Sequence, residues 1–242
     1  MQSSWYQLWR LIVEFYGDGE KALGPILTEF FDTVPVAGPR TTLCELMTSY
    51  GSDKGSSWHN YTLLYHFLFR RYRHRIRNVF ELGIGTNFLD TPSNMGPNGS
   101  PGASLRGWRD YFPNARIVGA DIDKRVLFSE DRITTWQVDQ RSKESIDGLW
   151  RHFGDVSFDL MIDDGLHEVD ANAIFMQNSV WKLRPHGFYI IEDIIANDEN
   201  FQRFGEFARS SNATGALIKV PSPTNNLDNC LAIFEAGTDQ GS

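Results

Sequence analysis

Cysteine is scarce in this chain: only Cys44 and Cys230 occur among 242 residues. Two are too few for a disulfide framework and fit a reducing compartment. Long apolar runs are missing as well. None approaches the ~20 residues that cross a bilayer, so no membrane span is expected. The first residues, Met1-Gln2-Ser3-Ser4-Trp5, lack the basic start, apolar middle and small-residue cleavage site of a secretion signal. Together these absences lead to the expectation of a cytoplasmic protein. Positive charge is in deficit, with 23 Lys and Arg against 31 Asp and Glu, a formal net charge of −8. Non-specific nucleic-acid binding depends on neutralising phosphates, and this balance argues against it.

What is present is ordinary for a folded soluble chain: 41% hydrophobic and 22% charged residues. The length suits one large α/β domain with a helical extension. We divide it into a helical cap and closing segment, 1–75, and a main domain, 76–242. In the cap, Trp5, Leu8, Trp9, Ile12 and Phe15 recur at near-helical spacing. Gly17-Asp18-Gly19 breaks that pattern before a second helical stretch ending near residue 31. Pro35, Gly38 and Pro39 then form a link to helices at 42–50 and about 61–72.

From Asn78 onward short apolar strands alternate with amphipathic helices. Strands are expected at 79–83, 116–121, 133–139, 158–163 and 187–191, with helices at 105–112, 142–152, 170–183 and 201–210. Two further strands, 216–220 and 230–235, flank a turn containing Asn225-Asn226. Such alternation predicts a doubly wound parallel sheet that binds ligands at the carboxyl ends of its strands. The last two strands have no helix between them and should pair as an antiparallel hairpin. The expected fold is therefore α/β and Rossmann-like, with seven strands, that hairpin and an N-terminal helical cap.

Glu81-Leu82-Gly83-Ile84-Gly85 closes the first strand, where Gly83 and Gly85 allow a tight turn and close approach to a ligand. The third glycine of a dinucleotide fingerprint would fall on Phe88, which disfavours a pyrophosphate-binding dehydrogenase. Taken alone, the pair is a weak signal that also reads as a plain strand-to-loop turn. Asp121 ends the second strand, where a carboxylate can accept hydrogen bonds from both hydroxyls of a ribose. Asp139 and Gln140 end the third, within reach of an adenine edge if a cofactor lies across the sheet. Each also reads as a cap or turn residue. Ser104 opens the next helix, whose hydroxyl and N–H groups suit a carboxylate or a simple N-cap.

Asp163-Asp164-Gly165-Leu166-His167 follows the fourth strand, and Glu192-Asp193 the fifth. Tips of neighbouring strands lie about 4.8 Å apart. Carboxylates on both would repel unless protonated or bridged by a cation. Carboxylates without thiolates favour Mg²⁺ or Mn²⁺ over zinc. His167, with an ordinary pKa near 6.5, suits a general base beside them. Either motif alone reads as a capping turn or a solvated edge. Both at consecutive strand ends favour a site.

The ordered set of segments carries a resemblance. It comprises Tyr50-Gly51-Ser52-Asp53-Lys54-Gly55 with Trp58-His59-Asn60-Tyr61, Phe80 to Gly85, and Ser104-Leu105-Arg106-Gly107-Trp108 with Tyr111-Phe112-Pro113. Gly119-Ala120-Asp121-Ile122, Asp139-Gln140, Ile162 to His167 and Tyr189-Ile190-Ile191-Glu192-Asp193 complete it. Over these segments the chain resembles the metal-dependent sugar O-methyltransferases of macrolide biosynthesis and, more distantly, the cephalosporin hydroxylase-like methyltransferases. The resemblance implies a class I methyltransferase sheet that binds S-adenosylmethionine (SAM). It implies Asp164, Glu192 and Asp193 as ligands of Mg²⁺ or Mn²⁺ and His167 as general base. Glu81, Ser104, Asp121, Asp139 and Gln140 would line the SAM site, joined by Gly83, Gly85 and Asp163. The segment with Lys54 and His59 would close over the methionine end of the cofactor or over the acceptor. Lys54 is grouped here with the cofactor residues.

The expected activity is methyl transfer from SAM to a hydroxyl of a small-molecule or glycan acceptor, with a homo-oligomer left open. Alternatives are a non-sugar O or N acceptor, a nucleotide-dependent oxidoreductase on the same architecture, and a non-catalytic scaffold. Trp5, Trp9 and Trp58 are candidates for stacking on sugar faces. The loop at 87–102, rich in Pro and Gly, is either a lid over the acceptor or a surface insertion.

Overall fold

The computed structural model describes residues 14–16, 23–34, 40–195, 197–210, 214–220, 222, 224, 225 and 227–236. The expectations for Trp5, Trp9, the Gly17-Asp18-Gly19 break and the link with Pro35 and Pro39 lie outside them. Nine strands are present among these residues: β1 (Glu14–Tyr16), β2 (Asn78–Leu82), β3 (Arg116–Asp121), β4 (Ser129–Glu130) and β5 (Ile133–Gln137), then β6 (Phe158–Asp163), β7 (Leu183–Ile194), β8 (Gly215–Lys219) and β9 (Cys230–Glu235). They form one sheet in the order β1-β8-β9-β7-β6-β2-β3-β5-β4. Strands β7, β6, β2, β3 and β5 are parallel. β9 runs antiparallel between β7 and β8, so the expected hairpin is there. The chain winds outward from β2 to β3 and β5, then returns to place β6 on the other flank of β2. That reversal opens a crevice at the carboxyl end of β2.

Seven α-helices cover the sheet among the described residues: α1 (Gly24–Thr33), α2 (Thr42–Tyr50), α3 (Thr62–Phe69), α4 (Ala103–Tyr111), α5 (Lys143–Phe153), α6 (Val169–Gln177) and α7 (Asp198–Ser210). Local chemistry explains their ends. The Thr41 hydroxyl accepts from Cys44 N to start α2, and Gly51 at φ 84° ends it. Ser142 caps α5, which buries Ile146, Leu149 and Trp150 at i, i+3 and i+4. Helices α1–α4 pack on one face of the sheet through Phe30, Met47, Tyr65 and Trp108. Helices α5–α7 pack on the other through Leu149, Phe175 and Phe204.

Strand alternation distributes the acids between these faces. On β2, Phe80 and Leu82 face α5–α7, which turns Glu81 toward α1–α4. On β7, Ile190 faces α1–α4 and Ile191 the opposite layer, so Glu192 again meets α1–α4. On β6, Ile162 faces α1–α4, so Asp163 points the other way.

The seven expected strands are accompanied by two at the edges, β1 and β4. Residues 14–16 were expected to be helical, yet Glu14 to Tyr16 pair with Leu217 to Gly215 of β8. Ladder bonds from a partner distant in sequence outweigh weak local periodicity. The third strand ends at Gln137; past the last ladder bond, from Val138 N to Asp121 O, the Asp139 amide donates instead to Ser145 Oγ at 2.9 Å. The helix expected over 170–183 ends at Gln177, where the Asn178 amide donates to Ile174 O at 2.7 Å. β7 then begins at Leu183, four residues earlier than expected. The helix expected over 61–72 ends at Phe69 in turns.

Candidate active site

Sheet register sets the acids side by side. Leu82 pairs with Asp163, and Asp163 with Ile191. One residue further, Asp164 comes level with Glu192 at the carboxyl ends of the strands. Gly83 leaves β2 with φ 81°, and a Cβ there would overlap the Asp164 carbonyl oxygen. Only glycine lets these two strand exits touch backbone to backbone. Gly85, at φ 82°, would bring a Cβ within 2.6 Å of Met95 Sδ, so it admits the 87–102 loop. That loop is tied by its own bonds. The Asn87 amide donates to Gly96 O and Gly99 O at 2.8 and 2.9 Å, and Ser93 Oγ to Leu166 O at 3.1 Å.

A cavity of about 330 Å³ opens above these turns. Of the residues singled out from the sequence, Lys54, Gly83, Gly85, Ser104, Asp121, Asp139, Gln140, Asp164, His167 and Asp193 border it. Glu81, Asp163 and Glu192 do not; they lie behind the wall at 0%, 0% and 1% exposure. Asp163 is turned away by strand parity. Its carboxylate accepts both bonds from the Gln140 amide, at 2.8 and 3.0 Å, while Gln140 Oε1 accepts from Leu166 N at 2.9 Å. Burial pushes the Asp163 carboxyl up to about 6. Gln140 and Asp163 therefore clamp the β5 and β6 exits together, with the polar atoms of Gln140 spent on that clamp.

The acid end centres on Lys54, only 2% exposed. Its ammonium reaches Asp164 Oδ2 at 2.5 Å, Glu81 Oε1 at 3.3 Å, and Glu192 Oε2. Burial opposes its charge, but Asp164, Glu192 and Glu81 outweigh that and hold its pKa well above the ordinary value. Encircled by acids, Lys54 is not free to meet a cofactor carboxylate. Glu192 Oε1 accepts from the Tyr65 hydroxyl at 2.6 Å. Burial raises the pKa of Glu192 despite Lys54.

In front of this pair lies the rim. His167 Nε2 stands 3.3 Å from Asp164 Oδ1 and 3.7 Å from Asp193 Oδ2. Burial lowers the imidazole pKa, but the Asp164 bond and the charges of Asp164 and Asp193 overcome it, raising it to about 9. Asp164 is burdened by burial too, yet Lys54 and His167 hold it below the carboxylate range. Asp193 is raised, by burial first and then by Asp164. A register shift between Ile191 and Ile194 lets Asp193 adopt φ 56° near the end of β7. Asn60 and His167 also adopt positive φ, 61° and 60°. With Ser93 at φ 52°, four non-glycine residues in or beside the cavity wall adopt the left-handed region, a concentration of strain typical of functional geometry.

These residues fit a divalent ion. Asp164, His167 and Asp193 each offer a ligand atom within 4.8 Å of the others. Glu81, Asp164 and Glu192 surround one lysine ammonium, and Asp193 stands beside His59 and His167, so carboxyl groups outnumber basic ones at this end. Oxygen-rich donors of that charge suit a hard cation.

The opposite end fits a nucleoside. Asp121 accepts from Ile84 N and Asp123 N, both at 2.9 Å, which fixes its carboxylate at the cavity wall. Ile122, 44% exposed, supplies an apolar wall beside it. Asp139 is turned locally by Arg141 N at 2.9 Å. Helix α4 starts after Gly102 without a side-chain cap, and its first residues, Ala103 and Ser104, face the cavity. Uncapped N–H groups at a helix start attract carboxylates.

Sequence reading placed Tyr61 in a motif without giving it a role and passed over Tyr65. They stand four residues apart on or beside α3, hence on one face, and that spacing was the available signal. Tyr61 donates to Asp193 Oδ1 at 2.9 Å and stacks on His59, ring centroids 4.7 Å apart. His59 Nδ1 lies 3.0 Å from Asn229 Oδ1 and 3.4 Å from Asp193 Oδ1. Asn229 had no local signal, since only folding brings β9 beside residue 59.

No family model matches the sequence. Over 152 residues, 63% of the chain, it is 36% identical to the 8-demethyl-8-(2-methoxy-α-L-rhamnosyl)-tetracenomycin-C 3'-O-methyltransferase of Streptomyces olivaceus, covering 36% of that protein. Over 153 residues it is 35% identical to the mycinamicin VI 2''-O-methyltransferase of Micromonospora griseorubida, again 63% and 36% of the two chains. The match thus spans about a third of the length of these curated relatives, which are sugar O-methyltransferases. In structure, the MycE methyltransferase solved with Mg, SAH and mycinamycin VI superposes with a TM-score of 0.62 at 26% identity. That superposition covers 84% of this chain and 57% of the other. The sheet is that of MycE, and the resemblance read from the motifs holds.

Proposed function

We propose that the chain transfers a methyl group from SAM to a hydroxyl of a sugar or glycosylated acceptor, assisted by Mg²⁺ or Mn²⁺ at the acid end of the cavity. One observation carries this reading. Asp164, His167 and Asp193 converge within 4.8 Å on the rim of a cavity whose other end holds the glycine turn and Asp121. The names of the relatives, each a sugar O-methyltransferase, support the acceptor class.

The chain's own residues divide the work. Asp121 accepts hydrogen bonds from ribose hydroxyls, and the open first turn of α4 holds the amino-acid carboxylate. SAM, when bound, supplies an electrophilic methyl whose carbon–sulfur bond breaks, leaving the electron pair on sulfur as the acceptor oxygen attacks. The divalent ion, when bound, supplies Lewis acidity that lowers the hydroxyl pKa and fixes its position. Asp164 and Asp193 present carboxylate oxygens to that ion, while Lys54 and Tyr65 hold Glu192 in place behind them. With those oxygens on an ion, the two aspartates would pull less on the imidazole, and His167 would be placed to accept the hydroxyl proton at Nε2. Without the ion, the bond to Asp164 and the charges of Asp164 and Asp193 favour the protonated imidazole. Among the described residues no helix is long and apolar enough to cross a membrane.

The test is transfer of labelled methyl from SAM to rhamnosyl-bearing acceptors in Mg²⁺. We expect product with Mg²⁺ and none in excess EDTA. Binding of NAD in preference to S-adenosylhomocysteine, read by thermal shift, would contradict the reading.

A further inference from the structure

The acid end of the cavity has a wall that the transfer chemistry leaves unused. Trp58 is 48% exposed; Trp181 and Trp136 are exposed too, at 56% and 37%, but among these exposed indoles Trp58 alone borders the cavity. Single exposed aromatic side chains are common on protein surfaces, so what marks this one is its place at the cavity mouth, where its face can meet an occupant.

Trp58 is fixed. Its N–H donates to Gly55 O at 3.2 Å. Its carbonyl accepts from Ser222 Oγ and, at 3.3 Å, from Thr224 Oγ1, which also reaches Ser57 O at 2.9 Å. Two segments far apart in sequence therefore cooperate to hold the backbone while leaving the indole outside. Its position along the cavity is also defined. The ring meets His59 edge-on at 6.2 Å and 86°, and His59 Nδ1 lies 3.4 Å from Asp193 Oδ1. Trp58 thus belongs to the acid end, where the acceptor hydroxyl must be activated, and not to the glycine end.

Most other side chains at that end are polar: Asp53, His59, Asp164, His167, Asp193 and Asp228. Among the described lining residues Trp58 is the one indole or phenyl side chain. A pyranose ring has the matching character, with hydroxyls around its rim and a C–H face that packs on an aromatic ring. We propose that Trp58 is the platform on which the acceptor's sugar ring lies. It selects pyranosides with an apolar C–H face, such as 6-deoxyhexosides, and aims one ring hydroxyl at His167 and the aspartates. This inference rests on the sugar-methylation reading above and adds the residue that recognises the ring.

The test uses Trp58→Ala and Trp58→Phe in the full chain, with 8-demethyl-8-α-L-rhamnosyl-tetracenomycin C and methyl α-L-rhamnoside as acceptors. Side-chain exposure predicts that both variants fold, which melting temperature checks. For Trp58→Ala we expect acceptor KM to rise about 10-fold with kcat within about threefold and the KM for SAM unchanged. Trp58→Phe should recover most of the loss, because a phenyl ring still stacks. An acceptor KM within about twofold of wild type in Trp58→Ala would overturn the inference while leaving methyl transfer intact. So would a loss that falls equally on SAM. If the wild-type chain methylates neither rhamnoside, the reading of the site fails, and this inference fails with it.

Discussion

The two ends of the cavity are built by opposite means. The glycine end is shaped by backbone: positive φ at Gly83 and Gly85, main-chain donors on Asp121, and an open helix start. Its charges are few and its geometry is local to consecutive strand exits. The acid end is shaped by side chains from α3, the 51–61 segment, β6 and β7, converging across more than a hundred residues of sequence. Its carboxylates outnumber its cations. A backbone-built end should tolerate changes of charge and fail on changes of shape. An end built from charge should do the reverse.

The sharpest break of that contrast is Lys54→Met, which keeps the shape and removes the buried ammonium. Leaving Glu192 and Glu81 buried without it should cost about 3–5 kcal/mol of stability, read by denaturant unfolding. Adding Glu192→Gln should restore part of the loss, and failure to do so would mean that Lys54 is not held there by charge. Next comes Asp193→Asn, isosteric but neutral. Turnover should fall by about 100-fold or more while affinity for S-adenosylhomocysteine stays within about threefold. Equal losses in both would erase the distinction between the ends. Gly83→Ala works on the other end, through strain and overlap with Asp164. A loss of about 2–3 kcal/mol is expected, with cofactor binding impaired more than metal binding.

The smallest effect concerns pH. The His167 pKa, near 9, lies above its unfolded value near 6.5. Stability from this shift is fully present below the unfolded value and is lost as pH rises toward 9. Metal-free protein should therefore lose stability across that window. His167→Ala should show a flatter profile there, and Mg²⁺ should flatten the wild-type profile as well.

The same contrast explains what could be read in advance. β3, β6 and β9 began and ended where apolar runs and turn residues said they would, and α2 did so through Thr41 and Gly51. The glycine end was legible for the same reason, since its determinants lie within a few residues of one another. The acid end was legible as a cluster but not as an arrangement. Asp163 and Asp164 read as one motif, yet neighbouring strand positions face opposite layers, and Asp163 ends up bonded to Gln140. By parity Glu192 and Asp193 should also diverge. A bulge and a left-handed residue bring Asp193 to the rim, and no local pattern announces either. Lys54 sits among acids because loops distant in sequence meet there. β1 was read as helix because its pairing partner lies some two hundred residues away.

Electron paramagnetic resonance of Mn²⁺ titrated into protein loaded with S-adenosylhomocysteine tests the acid rim most directly. One tightly bound ion per chain is predicted for the wild type, lost in an Asp164→Asn/Asp193→Asn double variant that still binds S-adenosylhomocysteine. Equal Mn²⁺ binding by the two proteins, or none by the wild type, would contradict a metal site built on Asp164 and Asp193.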